Sequence, residues 1–277
     1  MNIVAPAPGT LGAGAMNRLQ DGIAQEGVAL LEGFMPASLC TAARRLLDRF
    51  RNLTDDPESW YGSHPTPDGA VPVHQAEALW NLRQYAPLHD LFRALLGTPF
   101  LWVSIDCGAI NPPHRPGIDE APRFHWEVDP RRSARRLQGL VYLEACAKDQ
   151  GVYECVPGIF RRPEAWRAVH GVGPFEQTLI REQAIRQLPG GRGSLVLWDA
   201  RMPHRLAPNT AELPSYSFRV TMFPEGDGAR RQERISDFEA RRAPAWARAT
   251  SGQTHPEPGP APVLTELGEQ LLGRRPW

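Results

Sequence analysis

The stretch Phe124-His125-Trp126-Glu127-Val128-Asp129-Pro130 sets an imidazole and two carboxylates at alternate positions. In an extended strand successive side chains alternate faces, so His125, Glu127 and Asp129 point the same way. A histidine and a carboxylate two residues apart supply two thirds of a 2-His-1-carboxylate metal site. The third ligand must come from elsewhere, and the candidate is His204, in Pro203-His204 just after the apolar run Ser194 to Asp199. It stands 77 positions beyond Glu127 (204 minus 127), a separation that a jelly roll closes by bringing distant strands together. Three ligands on one face leave coordination positions open, which suits Fe(II) binding a co-substrate and O₂. Asp129 shares the face, but four residues of extended chain put it roughly 13 Å from His125. Glu127 is therefore the expected ligand, and Asp129 a candidate supporting or substrate contact. An isolated His-x-Glu recurs by chance and alone reads as surface. Its mid-strand setting after the Pro-rich loop 112–122, together with His204, makes it a candidate site. The remaining histidines fall in loops, on a helix or beside turns.

The elements that must position these residues follow from periodicity. Residues 1–15 are rich in Ala, Gly and Pro and read as a flexible arm, with 16–277 as one domain. A helix then a strand (Gly27 to Leu31) come next, and Pro36-Ala37-Ser38 opens an amphipathic helix to about Arg51. A long loop over 52–73 precedes helices at Gln75–Arg83 and Pro87–Leu96, the latter stopped by Gly97. From Phe100 the pattern alternates in short runs: Trp102–Asp106, Arg123–Asp129, Leu137–Glu144, Ile180–Leu188, Gly193–Asp199 and Ser215–Phe223. Short runs split by Pro and Gly indicate an antiparallel sandwich or barrel. A charged helix near Arg231–Arg242, a Pro-rich linker over 254–262 and a helix at Thr265–Leu272 end the chain. Helices segregated from strands pack on the outside of a sheet structure.

The 277 residues carry 31 Lys+Arg against 31 Asp+Glu, so no basic surface points to nucleic acid or an acidic membrane. Four cysteines without a Cys-x-x-Cys pair are expected to be reduced thiols. No run approaches a membrane span, and residues 1–16 lack the basic start and apolar core of a signal peptide. A cytoplasmic protein acting on a small molecule is the expectation. Its oligomeric state is not legible in the sequence.

Several stretches together resemble bacterial members of the phytanoyl-CoA dioxygenase-like family. They are Leu79-Trp80-Asn81-Leu82-Arg83-Gln84, Leu101 to Asp106, His125 to Asp129 and Cys155-Val156-Pro157-Gly158, then Trp198 to His204, Val220 to Pro224 and Leu264 to Trp277. The similarity runs from about residue 20 to the C-terminus. It implies a mainly β fold with flanking helices, the double-stranded β-helix or cupin-like jelly roll. It also implies oxidation dependent on Fe(II), 2-oxoglutarate and O₂, with His125, Glu127 and His204 as the metal triad. The chain departs from the family in three places. Ser215 stands where an arginine usually pairs with the far carboxylate of 2-oxoglutarate, eleven residues after the distal histidine. Leu206 replaces a small polar residue, and Phe160 a histidine. Arg219 shares a strand face with Ser215 and is the candidate substitute, since a planar guanidinium matches a carboxylate bidentately. Its alternative is a local ion pair or solvent.

Candidate pocket residues are Trp80, Arg83, Trp102, Asp106, Trp126, Asp129 and Arg201. Each has a plain alternative, the tryptophans as core and the arginines as surface charges. The leading function is hydroxylation or desaturation of a small organic molecule, with a role in secondary metabolism suggested by family habit. One rival is an iron oxygenase whose substrate ligates the metal without 2-oxoglutarate. The other is a non-catalytic cupin-like binding protein.

Overall fold

The computed structural model describes residues 1–53, 69–115, 123–128, 136–161, 185–251, 256–257 and 259–277. Among these residues the strands are β1 (Asn2–Val4), β2 (Val28–Glu32), β3 (Leu101–Val103), β4 (Gly108–Asn111), β5 (Leu137–Tyr142), β6 (Tyr153–Cys155), β7 (Arg186–Leu188), β8 (Leu195–Asp199), β9 (His204–Leu206) and β10 (Ser215–Pro224). The helices are α1 (Ala13–Glu26), α2 (Ala37–Leu53), α3 (Glu77–Arg83), α4 (Ala86–Leu96), α5 (Gly228–Glu239), α6 (Ala245–Ser251) and α7 (Glu266–Leu272). α1 stops where Gly27 adopts φ 78° and donates its N–H to Ile23 O, which turns the chain directly into β2.

Strand alternation becomes layering. The major sheet runs β1-β2-β8-β5-β10-β3, with β4 pairing the first half of β10 and β3 its last residues. On β10, Tyr216, Phe218, Val220 and Met222 face one way and join Leu195 and Leu197 of β8 in a core packed under the helices. Val196 and Trp198 of β8 face the other way, with Leu140, Tyr142 and Tyr153, into a second core between the sheets. Each buried aliphatic or aromatic side chain contributes about 1.5–3 kcal/mol relative to exposure. The minor sheet is β7-β6-β9. Two facing sheets with outer helices form the double-stranded β-helix, without a closed barrel.

Several local expectations differ from the structure. Asn2–Val4, placed within a flexible arm, pairs in parallel with β2, and the arm's last residues already belong to α1. The strand expected over 123–129 is, in its described part, a single bridge at His125. β4, β6 and β9 are short strands outside the runs the alternation marked out, and α6 was not anticipated. The charged helix ends at Glu239 rather than Arg242. Most of the expected loop 52–73, the start of the run 180–188 and part of the linker lie outside the described residues.

Candidate metal centre and its cavity

The minor sheet brings the metal candidates together. His125 and His204 face each other as an antiparallel pair, each N–H donating to the other's carbonyl at 3.0 Å. Such a pair exchanges both hydrogen bonds and puts both side chains on one face. The imidazole centroids are 4.4 Å apart. Glu127, two residues on, donates its N–H to Ala200 O at 3.2 Å, which holds it on the same side. Ligand atoms of His125, Glu127 and His204 all lie within 4.8 Å of one another, and His125 Nε2 stands 3.6 Å from Glu127 Oε1.

The ring nitrogens are already sorted. His204 Nδ1 lies 3.0 Å from Met202 O and His125 Nδ1 3.3 Å from Arg123 O. A backbone carbonyl can only accept, so each Nδ1 donates its proton there and each Nε2 is the ring nitrogen left for a metal. Burial and the neighbouring His125 push His204 down to about 3, which keeps it neutral. The His125 imidazole holds Glu127 down at about 2, against its partial burial, which keeps it ionised. Two imidazoles with Nδ1 held by backbone carbonyls, and one carboxylate, are the donor set a divalent iron requires, so the residues fit the metal. His204 is further braced by Tyr153, stacked at 5.6 Å and 17°, and by Trp198 at 5.0 Å.

A cavity of about 480 Å³ opens over the three candidate ligands between the sheets. Arg219 lines it, one residue removed from Val220 of the outer core, as the alternation of β10 dictates. Its charge acts on both Glu127 and His204. Asp106 also lines the cavity; burial raises its pKa while Ser104 hydrogen-bonds its carboxylate.

The profile of the phytanoyl-CoA dioxygenase (PhyH) family matches residues 23–213. The chain belongs to that family. As a phytanoyl-CoA dioxygenase family member it is an Fe(II)-dependent dioxygenase that uses 2-oxoglutarate and O₂. A putative oxidoreductase from Salmonella typhimurium LT2 superposes with a TM-score of 0.68 at 16% identity, over 96% of this chain and 83% of that one. GlcNAc Inducible Gene 2 of Candida albicans gives 0.66 at 13% identity, covering 97% and 78%. SnoN, a non-heme alpha-ketoglutarate-dependent epimerase from nogalamycin biosynthesis, gives 0.56 at 14% identity, covering 92% and 98%. At these identities the likeness is one of fold. Curated proteins return no match. Among the described residues no helix is long and apolar enough to cross a membrane.

The other described positions singled out in this family member lie away from the cavity. Ser215 is buried and its hydroxyl hydrogen-bonds the Cys146 sulfur, too early on β10 to reach the cavity. Trp80 is core: its ring meets Phe238 edge-on at 5.3 Å and its N–H donates to Gln75. Arg83 is fully buried and donates to the carbonyls of His74 (2.8 Å) and Asp106, so it supports the cavity wall from behind. Trp102 packs under the guanidiniums of Arg231 and Arg234. Trp126 does not line the cavity, because it alternates with His125 and Glu127. Arg201 is locked onto Asp199 by bonds of 2.9 and 2.6 Å. Asp129 lies outside the described residues. Cavity residues not singled out include Gln138, Thr221, Phe223, Arg230, Arg234 and Trp246. Thr221 and Phe223 share Arg219's face and were legible from the alternation; the helical residues carried no local signal.

Proposed function

We propose that His125, Glu127 and His204 hold the Fe(II), and that the enzyme hydroxylates or desaturates a small organic molecule of secondary metabolism. The convergence of three competent ligand atoms within 4.8 Å, beneath a cavity of about 480 Å³, carries this reading. Bound there, the iron supplies oxidation of a substrate C–H bond by O₂, coupled to consumption of 2-oxoglutarate. The protein's part is positional. The carbonyls of Met202 and Arg123 aim the two imidazoles, and Tyr153 and Trp198 restrain the His204 ring. Arg219 receives the far carboxylate of 2-oxoglutarate in place of the arginine missing at Ser215, a role its position on the cavity wall supports. The intact carboxylate ligand favours hydroxylation or desaturation over halogenation. The test is anaerobic titration of the Fe(II)-loaded enzyme with 2-oxoglutarate, following the weak visible charge-transfer band of the chelate. A saturating band is expected. Iron binding without a band would reject this co-substrate site and favour a substrate that ligates iron directly.

A further inference from the structure

The roof of the cavity is helical and bears cations. Arg230 and Arg234 sit four residues apart on α5, so they share one face of the helix, and both line the cavity. Both guanidiniums lie over one ring, that of Phe223, at 5.6 and 5.7 Å. Like charges at this spacing destabilise a helix when nothing bridges them. Among the described residues neither makes an ion pair. Glu233, on the same wall, pairs with neither. Arg234 is held instead by three backbone carbonyls: Nε donates to Leu272 O at 3.0 Å, and one terminal nitrogen to Val103 O at 2.6 Å and Leu271 O at 3.0 Å. That grip uses one edge of the guanidinium and fixes its plane, leaving the other terminal nitrogen for a ligand. Beside the pair, Trp246 is 55% exposed yet lines the cavity, offering an aromatic surface at the mouth.

We propose that Arg230 and Arg234 form the substrate's anchoring subsite, and that the substrate is a small carboxylic acid with an apolar body. Its carboxylate bridges the two guanidiniums, its body lies against Phe223 and Trp246, and the bond to be oxidised reaches toward the metal end. This subsite rests on the function proposed above for its catalytic meaning, but its binding is measurable without iron. A charge-assisted hydrogen bond from a prefixed guanidinium is stronger than a neutral one, and the shared Phe223 ring pre-orders the pair so that little side-chain freedom is lost on binding.

The experiment titrates the full metal-free chain calorimetrically with 2-naphthoate, with 2-naphthamide of the same shape, and with inorganic phosphate. Naphthoate is expected to bind roughly tenfold tighter than the amide, about 1.4 kcal/mol. Arg230→Gln, at an exposed position, removes that preference, and so does the conservative Arg234→Lys, whose single ammonium cannot hold the three carbonyls and reach the ligand together. Equal binding of acid and amide, or a preference that Arg230→Gln leaves intact, overturns the proposal. So does its loss in Arg219→Ala, or displacement of naphthoate by 2-oxoglutarate, either of which would place the carboxylate in the co-substrate site. Phosphate binding more tightly than naphthoate and competing with it would replace the carboxylate by a phosphate ester. Because no iron is present, failure here leaves the metal assignment standing, and loss of iron binding in a His125 variant leaves this preference unchanged.

Discussion

Replacing Glu257 by glutamine should flatten the dependence of stability on pH. Glu257 is 2% exposed and joins the C-terminal segment to the chain ahead of α3, accepting the N–H groups of His74 at 2.6 Å and Gln75 at 2.7 Å. Burial pushes its pKa up from 4.5 to about 7, outweighing the two N–H donors and the nearby Arg83 and Arg241 charges that pull it down. The folded state therefore holds the proton more tightly than the unfolded chain. Stability from this group is full below the unfolded pKa and is lost as pH rises through the folded one. At about 1.4 kcal/mol per unit the rise is worth up to about 3 kcal/mol. For a chain of this length that corresponds to roughly 5 °C in Tm. Scanning calorimetry of both proteins from about pH 5 to about pH 8, across that titration, is the assay. The wild type should lose stability over that window. Glu257→Gln should start lower at the acid end, because its amide can accept only one of the two N–H bonds, and then stay flat. Parallel curves for the two proteins would refute the reasoning.

Three other outcomes follow from the site. His125→Ala and His204→Ala should abolish tight Fe(II) binding, measured by metal analysis after desalting, with circular dichroism unchanged; full iron occupancy in either would sink the ligand assignment. Arg219→Ala should raise the KM for 2-oxoglutarate about tenfold, some 1.4 kcal/mol for a lost carboxylate partner, and an unchanged KM would reject that role. Arg83→Met should cost about 2–4 kcal/mol in urea denaturation, because it strands the buried carbonyls of His74 and Asp106. A loss below about 1 kcal/mol would mean the wall does not depend on those bonds.

The residues that carry chemistry were legible because their signals are local. Alternation within 124–129 put His125 and Glu127 on one face, and alternation within β10 turned Arg219 inward and Tyr216 and Phe218 outward. The same period-two logic counts against Trp126, a pocket candidate on the sequence that does not line the cavity. What periodicity could not supply was the partner of each face. Arg83 and Arg219 are the same residue type near the same wall, yet one is packed behind Asp106 and the other lines the cavity. Arg201 looked available until Asp199, two residues away, engaged it at both ends. The pairing of His125 with His204, the closure of β1 onto β2 and the helical roof with Arg230, Arg234 and Trp246 join segments far apart in sequence. By itself the sequence determined the ligand types, the face each strand residue takes and the sheet-with-helices class, since these depend on neighbours two to four positions away. The tertiary structure decided which arginine supports the wall from behind and which lines the cavity. That choice is made by long-range packing, where burial and hydrogen bonding to distant backbone outweigh local preference.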